Sequence, residues 1–235
     1  MTESRISPRI EVEAYADAEE AAQAAAVAIA DWLAAGLSEN ERASFVATGG
    51  RSPGPVYDLL ATLPLPWEQV AVTLSDERWV PPSSPDSNEK LVRDRLLTGE
   101  AAGARLVPLW SDAATPADAA DAAEATVADL LPFDVVLLGM GDDGHFASLF
   151  PGNPSLDYGL DPDSGALVIP APRGEPAPPQ DRISLTLHAL TKTYLIVILI
   201  SGETKRRIVE ERDDLPIHAL FRAAGDTPVR VIWSP

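Results

Sequence analysis

The chain has 235 residues, 46% of them hydrophobic, which is enough apolar material for a sizeable core and too much for wholesale disorder. Acidic side chains outnumber basic ones 36 to 18, and the resulting net charge of −18 argues against general binding to nucleic acid or an anionic membrane, since both need a basic footprint. Cysteine is absent, which removes disulfides, thiolate nucleophiles and Cys-bound zinc together and suits a reducing compartment.

Glu3, Arg5 and Glu11 precede any apolar run, unlike a secretory signal. Ile10 to Tyr15 alternates apolar and polar residues, the pattern of a half-buried strand. Asp17 to Leu37 is alanine-rich, carries acids near its start and reaches Gly36 near its end, so it reads as one long amphipathic helix. Further strands are expected at Phe45 to Ala47, Val70 to Leu74, Leu106-Val107, Val135 to Leu138, Leu195 to Ile200 and Val229 to Trp233. Helical patterns fall between most of them, over Pro55 to Ala61, Glu89 to Leu97, Pro116 to Leu131 and Glu203 to Arg212. Strands that lack alternation are buried on both faces, which predicts an α/β fold with a mainly parallel sheet flanked by helices. The Pro/Gly-rich stretch Pro151 to Pro179 reads as a long excursion with a small strand near Leu167 to Ile169, so residues 1–235 are expected to form one domain. The longest aliphatic run, Leu195 to Ile200, is far short of the roughly 20 residues a membrane helix needs, and a soluble cytoplasmic protein is expected.

Ligands of open parallel sheets sit outside the carboxyl ends of the strands. Four expected strands end in polar clusters: Thr48-Gly49-Gly50-Arg51-Ser52-Pro53, Ser75-Asp76-Glu77-Arg78, Gly139 to His145, and Ser201-Gly202-Glu203-Thr204-Lys205. Gly49 and Gly50 allow a tight turn with open N–H groups, Ser52 is a natural N-cap, and Pro53 suits the first helical position. Such a turn, with Arg51 beside it, would hold a phosphate; the plainer alternative is an ordinary capped turn. Lys205 is a second phosphate cation or else a solvated surface lysine. Arg78 can bind a phosphate oxygen or neutralise an oxyanion, or simply form an ion pair with its acidic neighbours Asp76 and Glu77.

Gly139-Met140-Gly141-Asp142-Asp143-Gly144 matches the glycine spacing of a dinucleotide fingerprint, but Asp142 and Asp143 would repel a pyrophosphate and Pro151-Gly152 cuts short the helix required next. His145 is better read as a proton carrier near neutrality, with Asp143 raising its basicity or orienting a second group. A hydrogen-bonded structural histidine and a metal ligand beside Asp142 and Asp143 are the alternatives. No second histidine lies nearby, so no metal is expected. His188 and His218 lack such company and are expected to be structural or surface residues.

Taken together, Gly49 to Pro53, Asp76 to Pro81 with Ser87-Asn88, and Gly139 to Gly152 resemble the successive motifs of the 6-phosphogluconolactonase family. Arg182 to Thr186, Gly202 to Lys205 and Pro228 to Val231 continue the resemblance in the same order, so that it spans nearly the whole chain. Its most specific part is Asp143-Gly144-His145-Phe146-Ala147-Ser148-Leu149-Phe150-Pro151-Gly152. The resemblance implies a modified Rossmann-like sheet, no cofactor, and hydrolysis of 6-phospho-D-glucono-1,5-lactone in the oxidative pentose phosphate pathway. It implies that His145 is the general base, with Asp143, Arg78 and Asp76 in the catalytic group. Phosphate binding would fall on Gly49, Gly50, Arg51, Ser52 and Lys205, with Arg78 and Arg182 assisting. The partner expected is a small sugar-phosphate lactone, not nucleic acid or membrane, and the chain a monomer or small homo-oligomer. Two rivals stand beside this reading. Glucosamine-6-phosphate deaminases typically carry a glutamate soon after Asp-Gly-His, whereas no acid occurs here between His145 and Asp157. A non-catalytic sugar-phosphate sensor would leave His145 and Asp143 unexplained.

Overall fold

The computed structural model describes residues 10–172, 180–212 and 214–235. Glu3 and Arg5, and the end of the Pro151 to Pro179 excursion, lie outside the described residues.

Strand β1 (Val12–Ala14) leads into helix α1 (Ala18–Asn40), followed by β2 (Ala43–Ala47) and α2 (Gly54–Leu60). Next come β3 (Val70–Leu74), β4 (Asp76–Arg78), α3 (Asn88–Arg95), β5 (Arg105–Leu106) and α4 (Pro116–Ala128). The chain continues through β6 (Val135–Leu138), α5 (Leu156–Gly159), β7 (Val168–Ala171), β8 (Arg182–Leu185) and α6 (Leu187–Leu190). It closes with β9 (Ile196–Ser201), α7 (Glu203–Glu211), α8 (Pro216–Ala223) and β10 (Val229–Ser234).

Seven strands form one sheet in the order β1-β10-β9-β6-β2-β3-β5, and every neighbouring pair is parallel. Every residue of β2, β3 and β6 is buried, so apolar side chains are needed on both faces, and the period-2 alternation of a one-sided sheet is missing for that reason. From β2 the chain steps to β3 and β5 on one side, then returns to β6 on the other. That reversal opens a crevice at the carboxyl ends of β2 and β6, the place where a parallel sheet holds ligands.

Helix α1 starts on Asp17, whose carboxylate accepts from the N–H groups of Glu19 and Glu20, both at 2.9 Å. By length and composition it could cross a membrane, but its buried face, including Ala25, Ile29 and Leu33, packs on β2, β9 and β10. The helix runs past the expected Leu37 to Asn40 and ends on Glu41, which takes a φ of 56°. Gly36 serves close packing, because a Cβ there would lie 2.0 Å from Asp134 Oδ1. That side chain's other oxygen, Oδ2, accepts from the Ser44 N–H at 2.7 Å, tying the start of β6 to the start of β2.

A second sheet, β4-β8-β7, is antiparallel and lies over the carboxyl end of the main one. The expected strand near Leu167 to Ile169 is its outer member β7. Strand β4 escapes a reading of apolar runs: it is Asp-Glu-Arg, and its burial is offset by hydrogen bonds and partners far away in sequence.

Candidate active site

The turn after β2 is held from beneath. Tyr57 of α2 accepts a hydrogen bond from the Thr48 N–H (2.8 Å) and donates to the Thr48 carbonyl (2.6 Å). Burial pushes the Tyr57 phenol up, so it stays protonated and keeps donating. Gly50 takes a φ of 97°, a left-handed value that favours glycine. None of the backbone N–H groups of residues 49–52 donates to a described residue, which leaves four successive donors at the rim. The expectation that Ser52 caps the following helix is corrected, because the N-cap is Pro53 and no side chain caps it.

At the end of β3 three charged residues diverge into different environments. Glu77 is fully buried and accepts from Ser87 Oγ and from the N–H groups of Arg78, Asn88 and Glu89. Burial raises its carboxyl despite those bonds. Glu77 therefore builds the start of α3. Asp76 points the other way and accepts from Ser75 Oγ (2.9 Å) and Ser148 Oγ (2.6 Å). Arg182 Nη1 stands 3.7 Å from its second oxygen.

Arg182 begins β8, which runs antiparallel to β4, so the start of this strand reaches the pole where the parallel strands end. Its guanidinium lies over the Phe150 ring, 5.0 Å from the centroid. Burial lowers its pKa, Asp76 pulls it back up, and Arg78 pushes it down again. Arg78 donates through Nη1 to the Asp86 carbonyl at 2.5 Å, while its buried Nε has no partner among the described residues.

After β6 the chain forms a tight loop, with Gly141 N–H donating to the His145 carbonyl at 2.9 Å. Gly141 has to be glycine here: a Cβ would fall 2.2 Å from both Cε1 and Nδ1 of His145 and 2.7 Å from Asp143 Oδ1. Asp143 Oδ1 lies 2.5 Å from His145 Nδ1. Burial alone would raise the Asp143 carboxyl, but the charge and hydrogen bonds of His145 outweigh it and hold it below the usual carboxylate range. An ionised carboxylate only accepts, so Nδ1 carries a proton towards it, and in the neutral ring Nε2 keeps its lone pair. Phe150 supports the imidazole ring at a centroid distance of 4.1 Å. Ala147 takes a φ of 48°, an uncommon value for a residue with a Cβ; it lies between buried Phe146 and Ser148, the residue that reaches Asp76.

Lys205 lies in the first turn of α7, whose N-cap Gly202 is pinned to β10 by two bonds. The Gly202 N–H donates to the Ser234 carbonyl, and Trp233 Nε1 donates to the Gly202 carbonyl, both at 2.9 Å.

These pieces line one cleft of about 270 Å³ at the carboxyl ends of β2, β3, β6 and β9. Gly49, Gly50, Arg51, Ser52, Asp76, Arg78, His145, Arg182 and Lys205 all border it, with Asp143 behind His145. In a chain of net charge −18, four cations on one small cleft are a local reversal of sign. Among the described residues no group of three His, Asp or Glu side chains converges as metal ligands.

Three further residues contribute to the site without any role that their motifs reveal. Ser148 bridges the histidine loop to Asp76, Phe150 lies tilted against the His145 ring, and Asn88 lines the cleft between Gly49 and Asp76. All three fall inside the family-like motifs, but only tertiary contacts show what they do. His188 and His218 lie elsewhere, in α6 and α8.

Residues 16–233 match the family model described as glucosamine-6-phosphate isomerases/6-phosphogluconolactonase. A 6-phosphogluconolactonase of Caulobacter vibrioides is 46% identical over 227 residues, covering 96% of this chain and 97% of that one. One from Pseudomonas aeruginosa is 37% identical, covering 100% and 99%. The crystal structure of a 6-phosphogluconolactonase from Shewanella baltica superposes with a TM-score of 0.91 at 33% identity, covering 97% and 99% of the two chains.

Proposed function

The chain belongs to the glucosamine-6-phosphate isomerase/6-phosphogluconolactonase family, and from that premise we propose that it hydrolyses 6-phospho-D-glucono-1,5-lactone to 6-phosphogluconate. The observation that carries this reading is the His145–Asp143 pair, 2.5 Å apart, set beside a cleft lined by four cations. The family name covers two activities. The absence of any acid between His145 and Asp157 favours hydrolysis over isomerisation with deamination.

In this mechanism the phosphate lies against the open N–H groups of residues 49–52, with Lys205 and Arg51 adding charge. His145 Nε2 takes a proton from water, and the hydroxide attacks the lactone carbonyl carbon. Arg78 faces the oxyanion that develops, and Arg182, opposite Arg78 and beside Asp76, fits that end of the cleft better than the phosphate end. When the carbon–ring-oxygen bond breaks, His145 returns its proton to the departing oxygen. Asp143 fixes the tautomer and offsets the imidazolium charge. A lactone is an activated ester, so this path needs no covalent enzyme intermediate. It would serve the oxidative pentose phosphate pathway in the cytoplasm.

The test is direct. Freshly made phosphogluconolactone, supplied in chelator, should release acid well above its spontaneous rate when the protein is added. Activity that depends on a specific divalent ion would overturn the metal-free mechanism, and no acceleration at all would overturn the lactonase reading.

A further inference from the structure

We propose that Tyr57 is a positioning residue for the substrate phosphate: its hydroxyl fixes the two peptide planes around Thr48 and thereby sets where the N–H groups of residues 49–52 stand. This inference rests on the lactonase reading above, which places the phosphate against those groups, and it adds a residue that lies behind the cleft wall.

The sheet ladder does not reach Thr48. Strand β2 pairs with β3 as far as Ala47 and with β6 as far as Val46. One hydroxyl takes the place of the missing strand neighbour, accepting from the Thr48 N–H at 2.8 Å and donating to the Thr48 carbonyl at 2.6 Å. The peptide that carries the Thr48 N–H is fixed from its other edge too, because the Ala47 carbonyl accepts from the Ser75 N–H at 2.7 Å. Tyr57 and Thr48 are both buried, so water does not compete for these groups. Burial also keeps the phenol protonated. Packing accounts for the Tyr57 ring, which a phenylalanine would match, whereas both bonds of the hydroxyl go to Thr48.

The consequence lies in the next peptide. A peptide unit is planar and trans, so its C=O and N–H point in opposite directions. The bond from Tyr57 to the Thr48 carbonyl therefore also directs the Gly49 N–H, away from the phenol. Gly49 borders the cleft, and its N–H donates to no described residue. The far end of the turn is held by the same residue. Tyr57 belongs to α2, the helix into which the turn runs, and its own N–H donates to the Pro53 carbonyl at 3.0 Å. Residues 49–52 are thus enclosed between the side-chain and backbone bonds of Tyr57. Two successive glycines leave the turn soft, so it needs such a brace to hold its donors in place before an anion arrives. Donors already in place spare the ligand the cost of ordering them.

The test compares wild type, Tyr57→Phe and a protein with Tyr57 replaced by para-aminophenylalanine. Each is measured by kinetics on 6-phosphogluconolactone and by calorimetric binding of 6-phosphogluconate and of gluconate. KM reports only on folded molecules, so partial unfolding lowers the apparent kcat and leaves KM in place. Tyr57→Phe should raise KM about tenfold, with kcat per folded molecule little changed. It should weaken 6-phosphogluconate by the same factor while gluconate keeps its affinity. An aromatic amine donates more weakly than a phenol, so its variant should fall between the other two, and it carries the comparison with wild type if Tyr57→Phe does not fold. Unchanged KM and unchanged affinity for 6-phosphogluconate would make the hydroxyl a purely structural group. Equal weakening of gluconate and 6-phosphogluconate would mean that it does not act through the phosphate. Either result overturns the proposal. If wild type releases no acid above the spontaneous rate, the lactonase reading fails by itself, and the binding of 6-phosphogluconate against gluconate still decides the role of Tyr57.

Discussion

Arg78 and Arg182 are directly opposed residues of the antiparallel β4–β8 ladder, so two guanidinium side chains leave the small sheet at one register position. Like charges opposed in a ladder destabilise it, typically by about 0.2–1 kcal/mol. Asp76 offsets this in part from 3.7 Å, yet Arg78 still depresses Arg182. An anion placed between them turns the repulsion into binding. Replacing Arg78 with Met should therefore cost little stability, with a melting temperature within a few degrees of wild type. The same variant should lose about 10²–10³-fold in kcat/KM through the missing oxyanion partner. Comparing thermal melts with kinetics checks this: activity lost only in proportion to unfolding would make Arg78 a structural residue.

Gly141→Ala tests how closely the catalytic loop is packed. The added methyl carbon would stand 2.2 Å from the His145 ring and must push it away from Asp143. A displacement of this size at the base should cost roughly 10²-fold in kcat. The loop is at the surface end of the sheet, so the loss should appear without global unfolding. A folded Gly141→Ala protein with a wild-type kcat would show that the His145–Asp143 contact is dispensable.

Stability should also depend on pH through His218, away from the cleft. Its Nδ1 accepts from the Leu215 N–H (3.2 Å) and its Nε2 lies 3.0 Å from the Ile208 carbonyl, so the ring is neutral and joins the end of α7 to the start of α8. Burial lowers its pKa and outweighs the bond to the Ile208 carbonyl, which favours the charged form. On acidification the unfolded state therefore takes up a proton first, near pH 6.5. The contribution of His218 is complete above that pH and is lost as pH falls through the lower folded value. The loop residue Gly144 is bonded through its carbonyl to the Ile217 N–H, so strain at α8 reaches the loop that carries His145. Denaturant melts of wild type and His218→Gln between pH 7 and pH 5 should converge as the pH falls; parallel curves would remove His218 from the pH dependence.

Lys205→Ala and Arg51→Ala should act on affinity for the phosphate. If their contacts are equal in the ground and transition states, KM rises while kcat changes little. Added salt should weaken capture by wild type, because attraction by exposed charge is screened. The informative comparison is the phosphorylated lactone against unphosphorylated gluconolactone. Equal losses on both substrates would mean these cations do not read the phosphate.

Much of this arrangement was legible in the sequence because a parallel sheet writes its core as apolar runs and places its ligand site in the segments directly after them. Val135 to Leu138 reads as a strand buried on both faces, and the loop carrying His145 comes directly after it. Arg182 was harder to place, since it stands at the start of its strand; only the antiparallel pairing with Arg78 turns that start toward the cleft. Strand β4 was hidden because Asp76, Glu77 and Arg78 have no apolar pattern, and their burial depends on Ser87, Ser148 and Arg182. Ser52 looks like a cap, but the helix takes Pro53 as its N-cap instead. Gly36 reads only as a residue near the end of the helix, because its tight contact is with Asp134, which is remote in sequence.

If His145, oriented by Asp143, activates water against a phosphorylated lactone, its removal must abolish most of the catalysis while sparing the phosphate contacts. The measurement that tests this most directly is acid release from freshly made 6-phosphogluconolactone by wild type and by folded His145→Ala at equal concentration, each corrected for spontaneous hydrolysis. The expected result is a loss of roughly 10²–10⁴-fold in kcat, with 6-phosphogluconate still bound, since the phosphate contacts proposed lie on residues 49–52 and Lys205. A His145→Ala protein that keeps the wild-type rate would contradict it.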